Sequence, residues 1–374
     1  MKLDWSVRMS DSFIRQYPIV SRMPQQMRNC WNYEDGCMLS ALEQVWRKTG
    51  DSRYYEYIKN NVDLYIQPDG SITTYRLEDY NVDQINQGKI LFLLLEQSGE
   101  EKYRKSIELL VKQMISHPRT SEGGLWHKNI YPFQMWLDGV YMTSPFLTRY
   151  ARTFHAYEWY DDVTHEIILM EKQTRDPSTG LLYHAWDESR KQRWADQETG
   201  CSPHFWSRAL GWYVMAIVDV LDDLPNDYPK RAQIIHIFSQ LVSAIVSVQD
   251  ADSGLWYQVI DQGNRAGNYL EASGSSMFVY AIAKGARKGY ISEDYVQVAK
   301  KGFEGLLTHC VERDADGTLH LGRICSVAGL GGTPYRDGSF EYYISEPVRR
   351  DDPKGFAPFV MACLEMEENN KYSE

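Results

Sequence analysis

Charged residues stand at the start of several apolar runs in this chain. "NYEDG" holds Glu34 and Asp35, "NVDQINQG" holds Asp83, "MWLDG" holds Asp138 and "SRALGW" holds Arg208. Asp138 has the most apolar company: Met135, Trp136, Leu137, Val140, Tyr141 and Met142 surround it in sequence. A charge is costly to bury unless it is paired or hydrogen-bonded. Asp138 therefore reads in two ways. It caps a helix, or it is an acid whose proton affinity is raised by desolvation. Paired carboxylates in one cleft are equipment for general acid–base work on sugars, and an acid between Trp136 and Tyr141 would hold a proton near neutral pH. Ser144-Pro145 is itself a good cap and first-position pair. Regular helix is accordingly expected from there, leaving Asp138 in front of it and free to point into a cleft.

Other groups fit the same chemistry. Arg208 lies between Trp206 and Trp212 in "HFWSRALGW". Such an arginine can grip a carboxylate with two parallel hydrogen bonds while the rings stack on a sugar. His184 sits in the aromatic stretch "LLYHAWDES", and Lys128 in "GGLWHKNIYP" offers a second positive charge. Each has an ordinary alternative: a structural histidine, a helix-end arginine in a surface ion pair, a solvated lysine.

These residues are positioned by a repeat. In "SGEEKYRKSIELLVKQMI", Tyr103, Ile107, Leu110, Val111 and Met114 follow the spacing of one helix face. "TGDSRYYEYIKNNVDLYI" repeats the pattern earlier in the chain, with Tyr54, Ile58, Val62 and Tyr65. Each follows a more apolar helix, and similar apolar helices are expected near Gly36, Gly88, Gly139, Gly211, Gly274 and Gly355. The unit is an apolar helix, a glycine turn, an amphipathic helix and a loop. The loops, among them "PDGSITTY", "SEGGLWHK", "STGLLYHAW", "DSGLWYQV" and "ADGTLHL", combine a polar glycine turn with apolar residues. Six such hairpins close into an all-α (α/α)6 barrel, apolar helices inside, with one domain spanning residues 1–374; an open solenoid is the alternative. In the barrel the loops share a rim with the starts of the inner helices, and the charged groups converge there.

Composition narrows the partners. The formal net charge is −11, without a basic stripe, which argues against nucleic acid. The 26 Tyr, 11 Trp and 12 Phe often lie beside Gly and Asp, as in a sugar-stacking cleft. Six cysteines match no zinc or dense disulfide pattern. No apolar run is long enough for a membrane span, and "MKLDWSVRMSDSF" lacks a signal-peptide core. A reduced, cytoplasmic protein is expected, or a periplasmic one if a signal peptide has been removed. No metal or organic cofactor is implied: HExxH, P-loop, Rossmann and GxSxG patterns are absent. "GGTPYRDGSF" reads only as a glycine loop.

The stretches "SEGGLWHKNIYPFQMWLDGVYM", "TGLLYHAWDES", "TGCSPHFWSRALGWYVMA" and "SGLWYQV" together resemble glycoside hydrolase family 105, the unsaturated rhamnogalacturonyl hydrolases. The likeness runs from about Trp31 to about Met361 and implies an (α/α)6 barrel. It also implies removal of a 4,5-unsaturated uronic acid from the non-reducing end of lyase-generated oligosaccharides. In that chemistry an Asp protonates C4 of the enol ether and water adds at C5. Matched by position, Asp138 is the implied acid/base and Asp83 the second carboxylate. His184 is implied to contact substrate or water, while Tyr33, Lys128, Trp206, Arg208 and Trp212 line the sugar site. Two departures concern the sugar beyond the uronate. Glu34-Asp35 stand where His-Gln is frequent, and His204 where an acidic residue is common. Competing readings are another barrel enzyme (an inverting glycosidase, a uronate lyase or an epimerase) or a non-catalytic sugar-binding repeat protein.

Overall fold

The computed structural model describes residues 4–24 and 29–371. The first three residues of the N-terminal stretch "MKLDWSVRMSDSF" lie outside that range. The helices are α1 (Trp5–Gln16), α2 (Tyr33–Thr49), α3 (Ser52–Val62), α4 (Asp83–Asn86), α5 (Lys89–Ser98), α6 (Glu101–Ser116) and α7 (Leu137–Phe154). They continue with α8 (Glu158–Thr174), α9 (Ser207–Asp223), α10 (Arg231–Ser247), α11 (Ala272–Arg287), α12 (Tyr295–His309), α13 (Phe340–Ser345) and α14 (Pro353–Lys371). Short strands β1 (Gln134–Trp136), β2 (Ala185–Asp187), β3 (Val311–Arg313), β4 (Leu319–Leu321), β5 (Ile324–Cys325) and β6 (Val348–Arg349) pair two by two as antiparallel ribbons.

The apolar helices form a closed ring. α2 packs on the broken pair α4 and α5, which packs on α7; α7 packs on α9, α9 on α11, α11 on α14, and α14 on α2. The expected glycines Gly36, Gly139, Gly211, Gly274 and Gly355 lie in these inner helices, and Gly88 in the break between α4 and α5. Two of them show why glycine is needed. A Cβ on Gly36 would stand 2.6 Å from the Gln87 backbone, and one on Gly274 3.0 Å from the Ser207 backbone. Neighbouring inner segments thus touch main chain to main chain.

The outer layer is α3, α6, α8, α10 and α12, each packed on the inner helix before it. Their buried positions follow the sequence periodicity: Tyr54, Ile58 and Val62 in α3, and Tyr103, Ile107, Leu110, Val111 and Met114 in α6. The sixth outer helix is α1, which packs on α14 and α2 and so joins the two ends of the chain. The loops after the outer helices turn at glycines in the left-handed region, Gly70, Gly123, Gly180, Gly254 and Gly317. Each then runs back as a short bridge or ribbon toward the next inner helix. All these loops reach the rim where the inner helices begin.

One local expectation is corrected. α7 starts at Leu137 and continues straight through Pro145. Proline lacks an N–H, so the Tyr141 carbonyl loses its helical donor. The buried Asn86 side chain supplies a donor to that oxygen at 3.4 Å. Asp138 consequently lies inside the first turn of α7, not ahead of the helix.

Candidate active site

The rim opens into a cavity of about 370 Å³ lined by the first turns of α2, α4, α7 and α14 and by the loops above them. Backbone pairing places its central groups. β1 and β2 pair with Trp136 opposite Ala185, and the ladder continues as Leu137 N–H donates to the His184 carbonyl at 3.0 Å. This sets His184 against Asp138: Nε2 lies 3.3 Å from Oδ2. The two atoms are close, but poorly aligned for a full hydrogen bond, and each is without a hydrogen-bond partner among the described residues. The other ring nitrogen, Nδ1, is 2.8 Å from the Tyr343 hydroxyl. His184 and Tyr343 are fully buried, so His184 stands behind Asp138 and does not face the cavity.

A second pairing fixes the neighbouring wall. Asn81 and Lys128 form a β-bridge, and Val82 N–H donates to the His127 carbonyl at 3.3 Å. The Lys128 ammonium is thereby held on Asp83, the first residue of α4, and His127 Nε2 lies 3.7 Å from the same carboxylate. Burial pushes the His127 ring down to about 4, so it is a neutral imidazole at neutral pH. His127 stacks on Trp136 at 4.5 Å, and Trp136 on Tyr131 at 5.0 Å.

The Asp138 carboxyl does not behave as its apolar sequence neighbours suggest. Burial raises its proton affinity, but the adjacent His184 ring, with His127 and Arg208 beyond it, outweighs that effect. The net result is a carboxyl held below the usual range in the ligand-free protein. Position in the first turn of α7 favours the anion for the same reason, because helix N-termini carry partial positive charge. Asp35 is the opposite case: burial, with Glu34 next to it, pushes its carboxyl well up. Burial, with Glu34 and Asp83 adding to it, likewise raises the Tyr33 hydroxyl.

Of the expected site residues, Asp138, Asp83, Tyr33 and Lys128 meet on the cavity wall. Trp206, Arg208 and Trp212 do not line it. They are buried at the start of α9, behind the wall. The Arg208 guanidinium lies 4.7 Å from the Trp206 ring and donates to the Cys325 carbonyl and, at 3.3 Å, to the Ser273 hydroxyl. Both bonds are made from Nη1 and anchor the guanidinium inside the protein. Trp212 stacks on Tyr141 at 4.8 Å and meets Tyr33 edge-on at 6.4 Å, which makes it a support for the floor. Glu34 and Asp35 do face the cavity, whereas His204 is away from it, 3.0 Å from the Gln262 amide.

Several wall residues escaped sequence reasoning. His127 is adjacent to Lys128 in the same motif. Arg336, from the loop that read only as glycine-rich, reaches the wall and donates to the Tyr131 hydroxyl at 2.9 Å. Lys354 and Asp352, 2.8 Å apart, come from the start of α14. The signal available for them was weak: a histidine and a few charges beside aromatic loops.

A ring of helical hairpins gathers carboxylates and cations at one mouth, the equipment of general acid–base chemistry. Comparison with known proteins makes the class specific. The model of Glycosyl Hydrolase Family 88 matches residues 5–370. The solved structure of a C. acetobutylicum glycoside hydrolase from family 105 superposes with a TM-score of 0.94 at 47% identity, covering 98% of this chain and 99% of that one. An Agrobacterium fabrum protein, Atu3128, is 40% identical over 60% of this chain and 97% of its own length. The unsaturated rhamnogalacturonyl hydrolase YesR of Bacillus subtilis is 26% identical over 73% of this chain and 75% of its own. The chain belongs to these family 88 and family 105 glycoside hydrolases, which act on unsaturated uronyl sugars. Among the described residues no helix is long and apolar enough to cross a membrane.

Proposed function

We propose that the protein removes a 4,5-unsaturated galacturonyl or glucuronyl residue from the non-reducing end of a short oligosaccharide, with rhamnose as the neighbouring sugar. The observation that carries this reading is the pairing of Asp138 with a buried histidine at the wall of a cavity that holds a second, lysine-bound carboxylate, Asp83. The name of YesR supports the rhamnogalacturonyl choice.

The chemistry follows from the enol ether. Asp138 donates a proton to C4, and positive charge develops at C5 and the ring oxygen. Water adds at C5 and loses a proton, giving a hemiketal. The hemiketal opens to a C5 ketone, C1 becomes a hemiacetal, and its collapse releases the next sugar with an aldehyde left at C1. Asp83, fixed by Lys128, orients the sugar; Tyr33 borders the same space. Arg336 and Arg349, with Lys128 on Asp83 and Lys354 on Asp352, place cations among the carboxylates of that wall, where they can meet a uronate. Arg208 acts from behind as a fixed charge, with Trp206 and Trp212 as its packing. Glu34 and Asp35, whose carboxyl burial pushes well up, face the aglycone side and make it a hydrogen-bonding subsite.

Unsaturated uronides absorb short-wave ultraviolet light, and hydration removes the band. On unsaturated galacturonyl-rhamnose and glucuronyl-rhamnose disaccharides the absorbance should decay. Asp138→Asn should slow the decay by about 10²–10⁴-fold, the usual worth of a positioned acid, with the helical circular dichroism intact. Wild-type turnover in that variant would remove Asp138 from the role.

A further inference from the structure

The ring encloses a second cavity, of about 450 Å³, at the opposite end from the catalytic mouth. Its wall is made by the later turns of α2, α7 and α9, by α5, and by Lys284 of α11. It is densely charged, and almost every charge is matched. Glu43 takes Arg149 at 2.9 Å and Arg47 at 2.9 Å; Arg47 also reaches Glu96 at 2.9 Å. Asp219 takes Lys284 at 2.7 Å, Asp222 takes Lys284 at 2.6 Å and Lys288 at 3.1 Å, and Asp223 takes Arg152 at 2.6 Å.

Lys89 is the exception. It is 93% buried, from a relative exposure of 7%, and lines this cavity. Among the described residues its ammonium has no ion pair and no hydrogen bond; its recorded contact is the Tyr141 ring face, 3.9 Å from the centroid. The wall carries five carboxylates and five cations, Lys89 among them, and Lys89 is the cation that no carboxylate touches among the described residues. Its place on the helix also sets it apart. The other cations stand near helix C-termini, where they oppose partial negative charge. Lys89 instead opens α5, directly after the break that separates it from α4. An isolated buried charge is costly unless compensated.

We propose that this cavity is an anion site, with the Lys89 ammonium as its anchor and a small monocarboxylate as its ligand. The carboxylate accepts from Nζ beside the Tyr141 face and gives this ammonium the anionic partner that the other cations of the wall already have. The site is separate from the catalytic cavity, and Tyr141 lies between them: it faces Lys89 below and stacks on Trp212, whose other neighbour is Tyr33 of the catalytic wall.

The test uses the whole protein and sodium acetate as probe, with sodium chloride at matched ionic strength as reference. Thermal unfolding of the wild type should show a saturable rise in Tm with acetate beyond that with chloride. Lys89→Met should lose that acetate-specific rise, and Lys89→Arg, which keeps the charge, should retain part of it. Crystals grown in acetate should carry a carboxylate within about 3 Å of Nζ. No acetate-specific shift in the wild type, or an equal shift in Lys89→Met, overturns the proposal. Catalysis is not the readout, so failure of the uronyl-hydrolase reading leaves this test unaffected.

Discussion

Asp138 Oδ2 and His184 Nε2 lie 3.3 Å apart at the base of the catalytic cavity, and no better partner for either atom occurs among the described residues. In the ligand-free protein this arrangement keeps the Asp138 carboxyl below its ordinary range. An acid that must protonate C4 therefore needs help from the substrate. The uronate carboxylate is attached to C5, next to the protonated carbon, and its charge raises the proton affinity of a nearby carboxyl while the sugar excludes water. Substrate binding is accordingly expected to take up a proton. The group whose ionisation ends activity should show a higher apparent pKa in kcat than in kcat/KM, since these report the bound and the free enzyme. Identical alkaline limbs and no buffer-dependent proton uptake on binding a non-reacting uronate would contradict it.

Tyr343 sets the other side of the same ring. Its hydroxyl is 2.8 Å from His184 Nδ1, deep in the protein. The bond at one nitrogen governs what the other presents, so Tyr343 decides whether His184 offers Asp138 a hydrogen or a lone pair. Tyr343→Phe should leave KM nearly unchanged, lower kcat, and move the pH optimum. A fall in thermal stability with an unaltered pH profile would make Tyr343 a packing residue only.

Lys128 and Asp83 form the fixed carboxylate of the opposite wall. Removing the ammonium leaves Asp83 facing only the neutral His127, 3.7 Å away. Lys128→Met should weaken binding of an anionic sugar, raising KM at least several-fold and kcat less. Asp83 is buried, so removing its ammonium partner leaves an uncompensated carboxylate, and a fall in thermal stability is expected alongside. An unchanged KM would remove Lys128 from the sugar site.

The frame of this site was legible in the sequence because it rests on local patterns. Glycines that start apolar helices, and tyrosines on amphipathic ones, recur with the unit, and the structure uses Gly36 and Gly274 as contact points. Asp83 and Asp138 follow, since each sits in the first turn of an inner helix. Depth was not legible. Trp206 and Arg208 adjoin the start of α9 just as Asp138 does that of α7, yet the phase of α9 turns them behind the wall. The downward shift of the Asp138 carboxyl was also hidden, because the histidine that causes it arrives through the β1–β2 ladder from far along the chain. Ring closure by α14 on α2, and the delivery of Arg336 by a remote loop, are long-range pairings with no local mark.

The loop that carries His127 and Lys128 has its own support, and it responds to pH. Glu166 of α8 is buried and accepts a hydrogen bond from Leu125 N–H at 3.1 Å. Burial pushes its carboxyl up to about 8, so it is a neutral acid at pH 7. A carboxyl with a raised folded-state pKa gives stability that is full below its unfolded value of 4.5 and is lost as pH rises toward 8. Over that window the wild type should lose up to about 1.4 kcal/mol per pH unit relative to Glu166→Gln, which cannot ionise. Chemical denaturation at intervals between pH 5 and about pH 8 reads the difference directly. Near the lower end the two proteins should be close in stability, and the glutamine variant should pull ahead as pH rises. Parallel curves for the two proteins would mean that Glu166 is charged in the fold, and that Leu125 is held by an ionised carboxylate.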